Sequence, residues 1–131
     1  MVLAANALVV ARHLAGHDKV GWVSYAGLPG NRYHELARRY CPKGAGGVFT
    51  FGVKGGFEAG KKLVNSVKLF SHLANVGDTR SLIIHPASTT HSQLSKEELI
   101  EAGASEDTVR LSVGIEDVAD IIADLDQGLK A

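Results

Sequence analysis

The sequence predicts an α/β fold in which a small, mostly antiparallel sheet of about four strands has its helices packed on one face. Short segments rich in β-branched and aromatic residues alternate with segments whose apolar residues recur at helical spacing. A chain of 131 residues with 45% hydrophobic content has the size and composition of one domain with its own core. We therefore expect residues 1–131 to form a single domain.

The N-terminal half is predicted to hold two helices and two strands. An apolar stripe predicts a first helix over Val2–Ala15, although no capping residue marks its start. β-forming residues predict a strand over 20–25. Apolar residues at i, i+3, i+4 and i+7 predict a second helix over 33–40, which Pro42 stops. A second strand over Val48–Val53 follows.

The C-terminal half is predicted to add three helices and two strands. A pair of glycines opens the third helix, a Ser-x-x-Glu capping box opens a short fourth helix, and an apolar stripe marks the last one. In chain order the predicted elements are a helix from residue 56 to about 72, a strand over 82–85, a helix over 96–102, a strand over 109–115 and a helix over 118–129.

Charge and cysteine content argue against several function classes. Fourteen basic and fourteen acidic residues cancel, so no net field attracts nucleic acid or an anionic membrane. Cys41 is the sole cysteine, which excludes an intrachain disulfide and a four-cysteine zinc site. No apolar run approaches the roughly 18 to 20 residues that span a bilayer. We expect a cytoplasmic protein with no nucleic-acid or membrane partner.

Arg110 is the most informative polar residue because it lies inside an otherwise apolar strand. Strand alternation in 109–115 puts the valines, the leucine and the isoleucine on the core face and Arg110 on the opposite face, beside a serine and a glycine. A guanidinium offers five donors whose geometry matches a carboxylate or phosphate. The residues alone leave two interpretations open: an anion-binding site, or a structural ion pair with Glu106 or Asp78.

Three other groups of residues favour structural roles. His85 and His91 flank HPASTTH, but no further ligand stands at a zinc-site offset, so we predict hydrogen-bonded loop residues and no metal. Gly55 and Gly56 precede a helix with lysines nearby, as in some phosphate sites, yet a turn with solvated lysines is the favoured interpretation. Cys41 has no evident activating base, so we treat its thiol as a buried or bystander group.

Four segments together resemble one known family. They are GWVSYAGLPGNRYHELARRY, GGVFTFGVKGGFEAGKKLVNSVKLFSHLANVGDTRSL, HPASTTH and VRLSVGIED, and they cover essentially the whole chain. They are similar to the C-terminal part of the Cys/Met-metabolism family of pyridoxal phosphate (PLP) enzymes, and within it to the O-acetylhomoserine sulfhydrylases. The resemblance implies the C-terminal domain of a fold-type I PLP enzyme, separated from a longer protein.

The resemblance also implies substrate-binding roles for Arg110, Asn75 and Val76. Arg110 matches the arginine that holds the α-carboxylate of the amino-acid substrate. Asn75 and the backbone at Val76 lie in the loop that lines the substrate site, although NVGD taken alone is an ordinary Asx-type turn. Asn75 stands where lyase relatives usually carry a serine, and Arg80 where they commonly carry an acidic residue. Both departures favour sulfide transfer over lyase chemistry.

The resemblance places the catalytic and cofactor-binding residues outside this chain. Such enzymes need a Schiff-base lysine in a short Ser/Thr-containing motif, and no lysine here lies in one. We expect the large PLP-binding domain to be absent, no PLP on this fragment, and no activity from it. The parent, implied to be a homotetramer, would replace the acetyl group of O-acetylhomoserine with sulfide, giving homocysteine for methionine biosynthesis.

Two alternatives stay open. Within the same family, the parent could be a cystathionine synthase or lyase, or a methionine γ-lyase. In a different class, the chain could be a free-standing α/β module that binds a small anionic metabolite or serves in assembly. A start codon with a ribosome-binding site directly before Met1 would favour the free-standing module.

Overall fold

A computed structural model of the chain describes residues 2–71 and 80–130. Over these residues the chain forms five α-helices and four strands. In order they are α1 (Val2–Ala15), β1 (Val20–Ser24), α2 (His34–Tyr40), β2 (Val48–Val53), α3 (Gly56–Ser66), β3 (Leu82–Ile84), α4 (Lys96–Glu101), β4 (Thr108–Ser112) and α5 (Val118–Lys130), with a 3-10 turn at Pro86–Ser88 between β3 and α4.

The four strands form one antiparallel sheet in the order β1-β2-β4-β3. Helices α1 and α3 pack on the sheet, and α5 packs against both helices. The core between these layers includes Phe51, Ile83, Leu111, Ile121 and Leu125, all without solvent exposure. The predicted fold class, a small antiparallel sheet with helices on one face, is confirmed.

Helix α3 is shorter than predicted because a distant carboxylate captures the backbone that follows it. The helix ends at Ser66, and Val67 is extended with ψ 149°. Buried Asp124 of α5 accepts the backbone N–H groups of Lys68 at 2.8 Å and of Leu69 at 2.7 Å. These donors would otherwise need carbonyls of a continuing helix. The predicted end near residue 72 was therefore wrong.

The apolar residues of helix α2, and Ile115 after β4, are more exposed than their periodic patterns predict. Helix α2 forms where predicted, but none of its residues is buried, and Leu36 and Tyr40 are 51% and 72% exposed. Ile115 was predicted on the core face and is 53% exposed. Strand β4 ends at Ser112, so alternation no longer fixes the direction of Ile115.

The other boundaries follow the sequence closely. The predicted capping box is confirmed, because the Ser95 hydroxyl accepts the Glu98 N–H and the Glu98 carboxylate accepts the Ser95 N–H. The short edge strand β3 ends at Ile84, one residue before His85 and two before Pro86. Across the described ranges, no helix has the length and apolar content that crossing a membrane requires.

Candidate functional site on the open face of the sheet

Arg110 lies in an interior strand of the sheet, on the face without helices. Strand β4 pairs with β2 on one side and β3 on the other, so Arg110 is opposite Thr50 and Ile84. Directly paired residues of an antiparallel sheet share a face. The neighbours of Arg110 along β4, Val109 and Leu111, are fully buried on the helix-covered face. The predicted alternation at Arg110 is confirmed, and its side chain is half-buried.

A rigid backbone therefore carries this guanidinium. Arg110 has ladder partners on both sides, and Thr50 extends the same face to Ser24 of β1. Of the two proposed ion-pair partners, Asp78 lies outside the described residues. The Glu106 carboxylate lies 3.9 Å from the ammonium of Lys96. On this face Arg110 lies between the polar Thr50 and the apolar Ile84, and a guanidinium held in this way is suited to a small carboxylate.

Trp22 lies on the same face of the sheet as Arg110, and the sequence analysis did not identify it. Trp22 pairs with Gly52 in the ladder, and a Cβ at Gly52 would collide with the indole, so the ring lies across β2. The indole N–H donates to the Asp107 carboxylate at 2.9 Å, just before β4 begins. The sequence shows Trp22 and Gly52 in two predicted strands, but it does not show that the two residues are paired.

The loop with Asn75 and Val76 lies outside the described residues, so their predicted roles are untested. The residues that flank the loop are described, and they are bonded to β3 or to the residue before it. Ser71 donates its N–H to the Ser81 carbonyl at 3.0 Å and accepts the Ile83 N–H at 2.9 Å. The chain thus leaves and re-enters the sheet beside β3, the strand next to Arg110.

Glu116 anchors the returning end of that loop, a role that sequence reasoning also missed. Its carboxylate accepts both the N–H and the hydroxyl of Ser81, each at 2.8 Å. The Ser81 oxygen in turn accepts the Gly114 N–H at 2.9 Å. The start of β3 and the segment after β4 are therefore joined by a charge-assisted network.

The HPASTTH segment contains hydrogen-bonded histidines, as predicted. His85 is fully buried and contacts the Glu106 carbonyl through Nε2 at 2.6 Å and the Ser88 hydroxyl through Nδ1 at 2.8 Å. His91 contacts the Thr90 hydroxyl at 2.8 Å. Within residues 2–71 and 80–130, no three His, Cys, Asp or Glu side chains are grouped so as to hold a metal ion.

The described residues do not fit a PLP site. A Schiff-base lysine lies in an enclosed pocket beside the cofactor, whereas all eight lysines of this chain are exposed. Gly55 and Gly56 have φ of 109° and 72°, so the backbone needs glycines for this turn whether or not an anion is near. Cys41 is exposed. No reaction step can be assigned to PLP on these residues.

A cavity of about 520 Å³ lies away from Arg110, between α1, α2 and residues 41–45. Tyr25 lines it and donates its hydroxyl to the Gly46 carbonyl at 2.7 Å. Burial raises the pKa of Tyr25, because desolvation penalises the phenolate. The cavity is also lined by Arg38 and Lys43, both exposed to solvent. We place the candidate site at Arg110 because its guanidinium is half-buried and is carried by a strand that is paired on both sides.

Comparisons with known proteins cover nearly the whole chain. The sequence model for the Cys/Met metabolism PLP-dependent enzymes matches residues 3–130. The chain is 54% identical over 124 residues to O-acetyl-L-homoserine sulfhydrylase 1 of Thermus thermophilus, covering 95% of this chain and 30% of that protein. It is 51% identical over 125 residues to the homocysteine synthase of Schizosaccharomyces pombe, covering 95% of this chain and 29% of that protein.

A solved structure gives the same result. A protein described as an O-acetylhomoserine (thiol)-lyase from Campylobacter jejuni matches with a TM-score of 0.91 and 44% identity, over 99% of this chain and 31% of that chain. That structure contains an N'-pyridoxyl-lysine-5'-monophosphate. The present chain therefore spans about 30% of the length of its relatives.

Proposed function

This chain belongs to the Cys/Met metabolism PLP-dependent enzyme family, and we propose that it is the C-terminal substrate-binding domain of an O-acetylhomoserine sulfhydrylase. The family resemblance read from the sequence is confirmed. The complete enzyme would exchange the acetyl group of O-acetylhomoserine for sulfide, giving homocysteine. The names of the relatives support this reaction, since several are O-acetyl-L-homoserine sulfhydrylases.

The position of Arg110 is the observation that carries the proposal. A half-buried arginine in the middle of a sheet, on the face without helices, is held by ladder partners on both sides. Its guanidinium would donate two N–H bonds to the α-carboxylate of the substrate in a bidentate pair, which fixes orientation as well as adding attraction. A clamp of this kind lowers the entropy cost of reaching the reactive geometry.

The rest of the active site would come from the remainder of the longer protein. There, PLP would supply the electron-sink chemistry and a lysine the Schiff base. This chain would bind and orient the amino acid through Arg110, with Asn75 and the backbone at Val76 as second contacts. We propose that residues 1–131 form one domain and that the parent is a homotetramer in the cytoplasm.

Sulfide transfer is favoured over the lyase alternatives within the family. Asn75 and Arg80 both depart from the pattern of the lyase relatives, and the similarity to a sulfhydrylase and to a homocysteine synthase supports the same reaction. The test is to supply the PLP-loaded full-length protein with O-acetylhomoserine and sulfide, and separately with cystathionine. Homocysteine formed only in the first reaction is expected, and cystathionine cleavage at a comparable kcat/KM would contradict the proposal.

The isolated chain is expected to be inactive. With every lysine exposed, none is set in a pocket that would stabilise a Schiff base with PLP. Incubation with PLP followed by borohydride reduction should label no single lysine stoichiometrically. Stoichiometric labelling of one lysine, or turnover of O-acetylhomoserine by the chain alone, would refute this expectation.

A further inference from the structure

His85 is a fully buried imidazole with both ring nitrogens bonded. Because the Glu106 carbonyl can only accept, Nε2 carries a proton and donates at 2.6 Å, and Nδ1 is bonded to the Ser88 hydroxyl at 2.8 Å. The two hydrogen bonds therefore fix the orientation of the ring. The proposed function of Arg110 uses neither of these bonds.

Helix α3 packs closely against this imidazole. A Cβ on Gly60 would lie 2.8 Å from two atoms of the His85 ring, so the glycine makes room for it. Phe57 meets the same ring edge to face, with centroids 5.1 Å apart. Glycine is unfavourable inside a helix relative to alanine. The close fit of the ring is the structural reason for this glycine.

The bonds of His85 continue the sheet at the point where the ladder stops. Strand β3 is short, and its last pair with β4 is Ile84 opposite Arg110. His85 follows directly, and its Nε2–H reaches Glu106 on the segment that leads into β4. The His85 side chain thus bonds the end of β3 to the segment that leads into β4, one residue beyond the Ile84–Arg110 pair.

The same residue also holds the HPASTTH turn. The His85 carbonyl accepts the Thr89 hydroxyl at 2.8 Å and the Ser88 N–H at 3.1 Å. The side chain and backbone of His85 therefore fix the direction in which the chain leaves β3 beside Arg110. Beyond the last rung of the β3–β4 ladder, the imidazole bonds the two segments to each other.

We propose that His85 is a positioning residue for Arg110: its Nε2–H bond to the Glu106 carbonyl holds the terminal β3–β4 pair in which Arg110 receives the substrate carboxylate. This proposal rests on the proposed carboxylate role of Arg110. Loss of the bond would let the β4 entry shift relative to β3 and would misalign the guanidinium. The consequence is weaker binding of the amino-acid substrate, with sulfide and PLP binding unaffected.

The test uses two matched substitutions in the PLP-loaded full-length enzyme. In His85→Gln the amide nitrogen can replace Nε2 and keep the Glu106 bond, whereas in His85→Asn the shorter amide reaches only Ser88. We expect His85→Asn to raise the KM for O-acetylhomoserine roughly tenfold, the loss of about one buried hydrogen bond. We expect His85→Gln to stay within about threefold of wild type, and His91→Gln, in the same loop, to leave KM unchanged.

A double substitution separates positioning from general damage. In an Arg110→Ala background, His85→Asn should raise KM no further, because the group that it positions is gone. Equal effects of His85→Asn and His85→Gln, or a full further loss in the Arg110→Ala background, would overturn the proposal. If His85→Asn does not fold, Gly60→Ala, which crowds the ring without removing it, carries the same expectation.

The outcomes also separate this inference from the proposed function. If Arg110→Ala leaves the KM for O-acetylhomoserine unchanged, the carboxylate role itself is wrong. If Arg110→Ala raises KM while His85→Asn and Gly60→Ala do not, Arg110 binds the substrate and His85 does not position it.

Discussion

Replacing Arg110 with alanine in the full-length enzyme should lower kcat/KM for O-acetylhomoserine by roughly 100-fold to 200-fold. Hydrogen bonds to charged groups contribute about 1.5–3 kcal/mol each. A bidentate pair has two such bonds, and the half-buried position of Arg110 favours the lower end, or about 3 kcal/mol in total. A loss of this size corresponds to the stated factor at about 1.4 kcal/mol per tenfold change.

Arg110→Lys separates charge from geometry. The ammonium keeps the charge but loses the planar fork, so about one of the two bonds is lost and kcat/KM should fall roughly tenfold. Steady-state kinetics with varied O-acetylhomoserine at saturating sulfide gives both values. The absorbance of bound PLP should be unchanged in both variants, because we propose that PLP binds to the remainder of the longer protein.

A matched control is available on the surface of α2. The Arg38 guanidinium lies 3.4 Å from Glu35 in an ion pair whose members are 68% and 83% exposed. Such pairs contribute little, so Arg38→Ala should retain wild-type kinetics. A kcat/KM for Arg110→Ala within twofold of the Arg38→Ala value would refute the carboxylate role and the energy estimate together.

Three further predictions concern stability. Asp124→Ala leaves three backbone N–H groups, those of residues 68–70, without their acceptor and should cost about 2–4 kcal/mol in urea unfolding, whereas Asp120→Ala on the exposed face of α5 should cost under about 0.5 kcal/mol. Ser95→Ala removes the α4 cap and should cost about 1 kcal/mol; no measurable change would contradict a role for the capping box. Because burial raises the pKa of Tyr25 in the folded state, its contribution is complete below the unfolded value of about 10 and is lost as pH rises through the folded pKa. The stability difference between wild type and Tyr25→Phe should therefore be constant from pH 7 to 9 and shrink above pH 10, and a constant difference up to pH 11 would contradict this.

The strand that carries the site was predictable because its pattern is local. Alternation in β4 depends only on the two-residue period. It correctly placed Arg110 on one face of the sheet and Val109 and Leu111 on the other face. The same rule failed at Ile115, beyond the end of the strand. Local rules hold only as far as the element extends, and the end of β4 is not encoded by a strong turn signal.

The features that sequence reasoning missed all depend on contacts between distant residues. Asp124 ends α3 although 57 residues separate it from Val67, so no helix-stop signal near Ser66 reveals the boundary. Trp22 of β1 bonds to Asp107 across β2, and this contact also joins residues that are far apart in the sequence. A glycine opposite Trp22 and a glycine in α3 against His85 were visible only as unexplained glycines. Their meaning appears once the partner ring is known.

Helix α2 helps to weigh the substrate-binding domain against the free-standing module. A helix of seven residues is below the length that is stable alone in water, about 12–15 residues, and must gain its stability from packing. Yet α2 has no buried residue and presents Leu36 and Tyr40 outward. Apolar side chains on a short, weakly supported helix are expected where another part of a longer protein packs. This chain covers about 30% of each relative, so the relatives contain a further part of that kind. The exposed face of α2 therefore favours the domain interpretation.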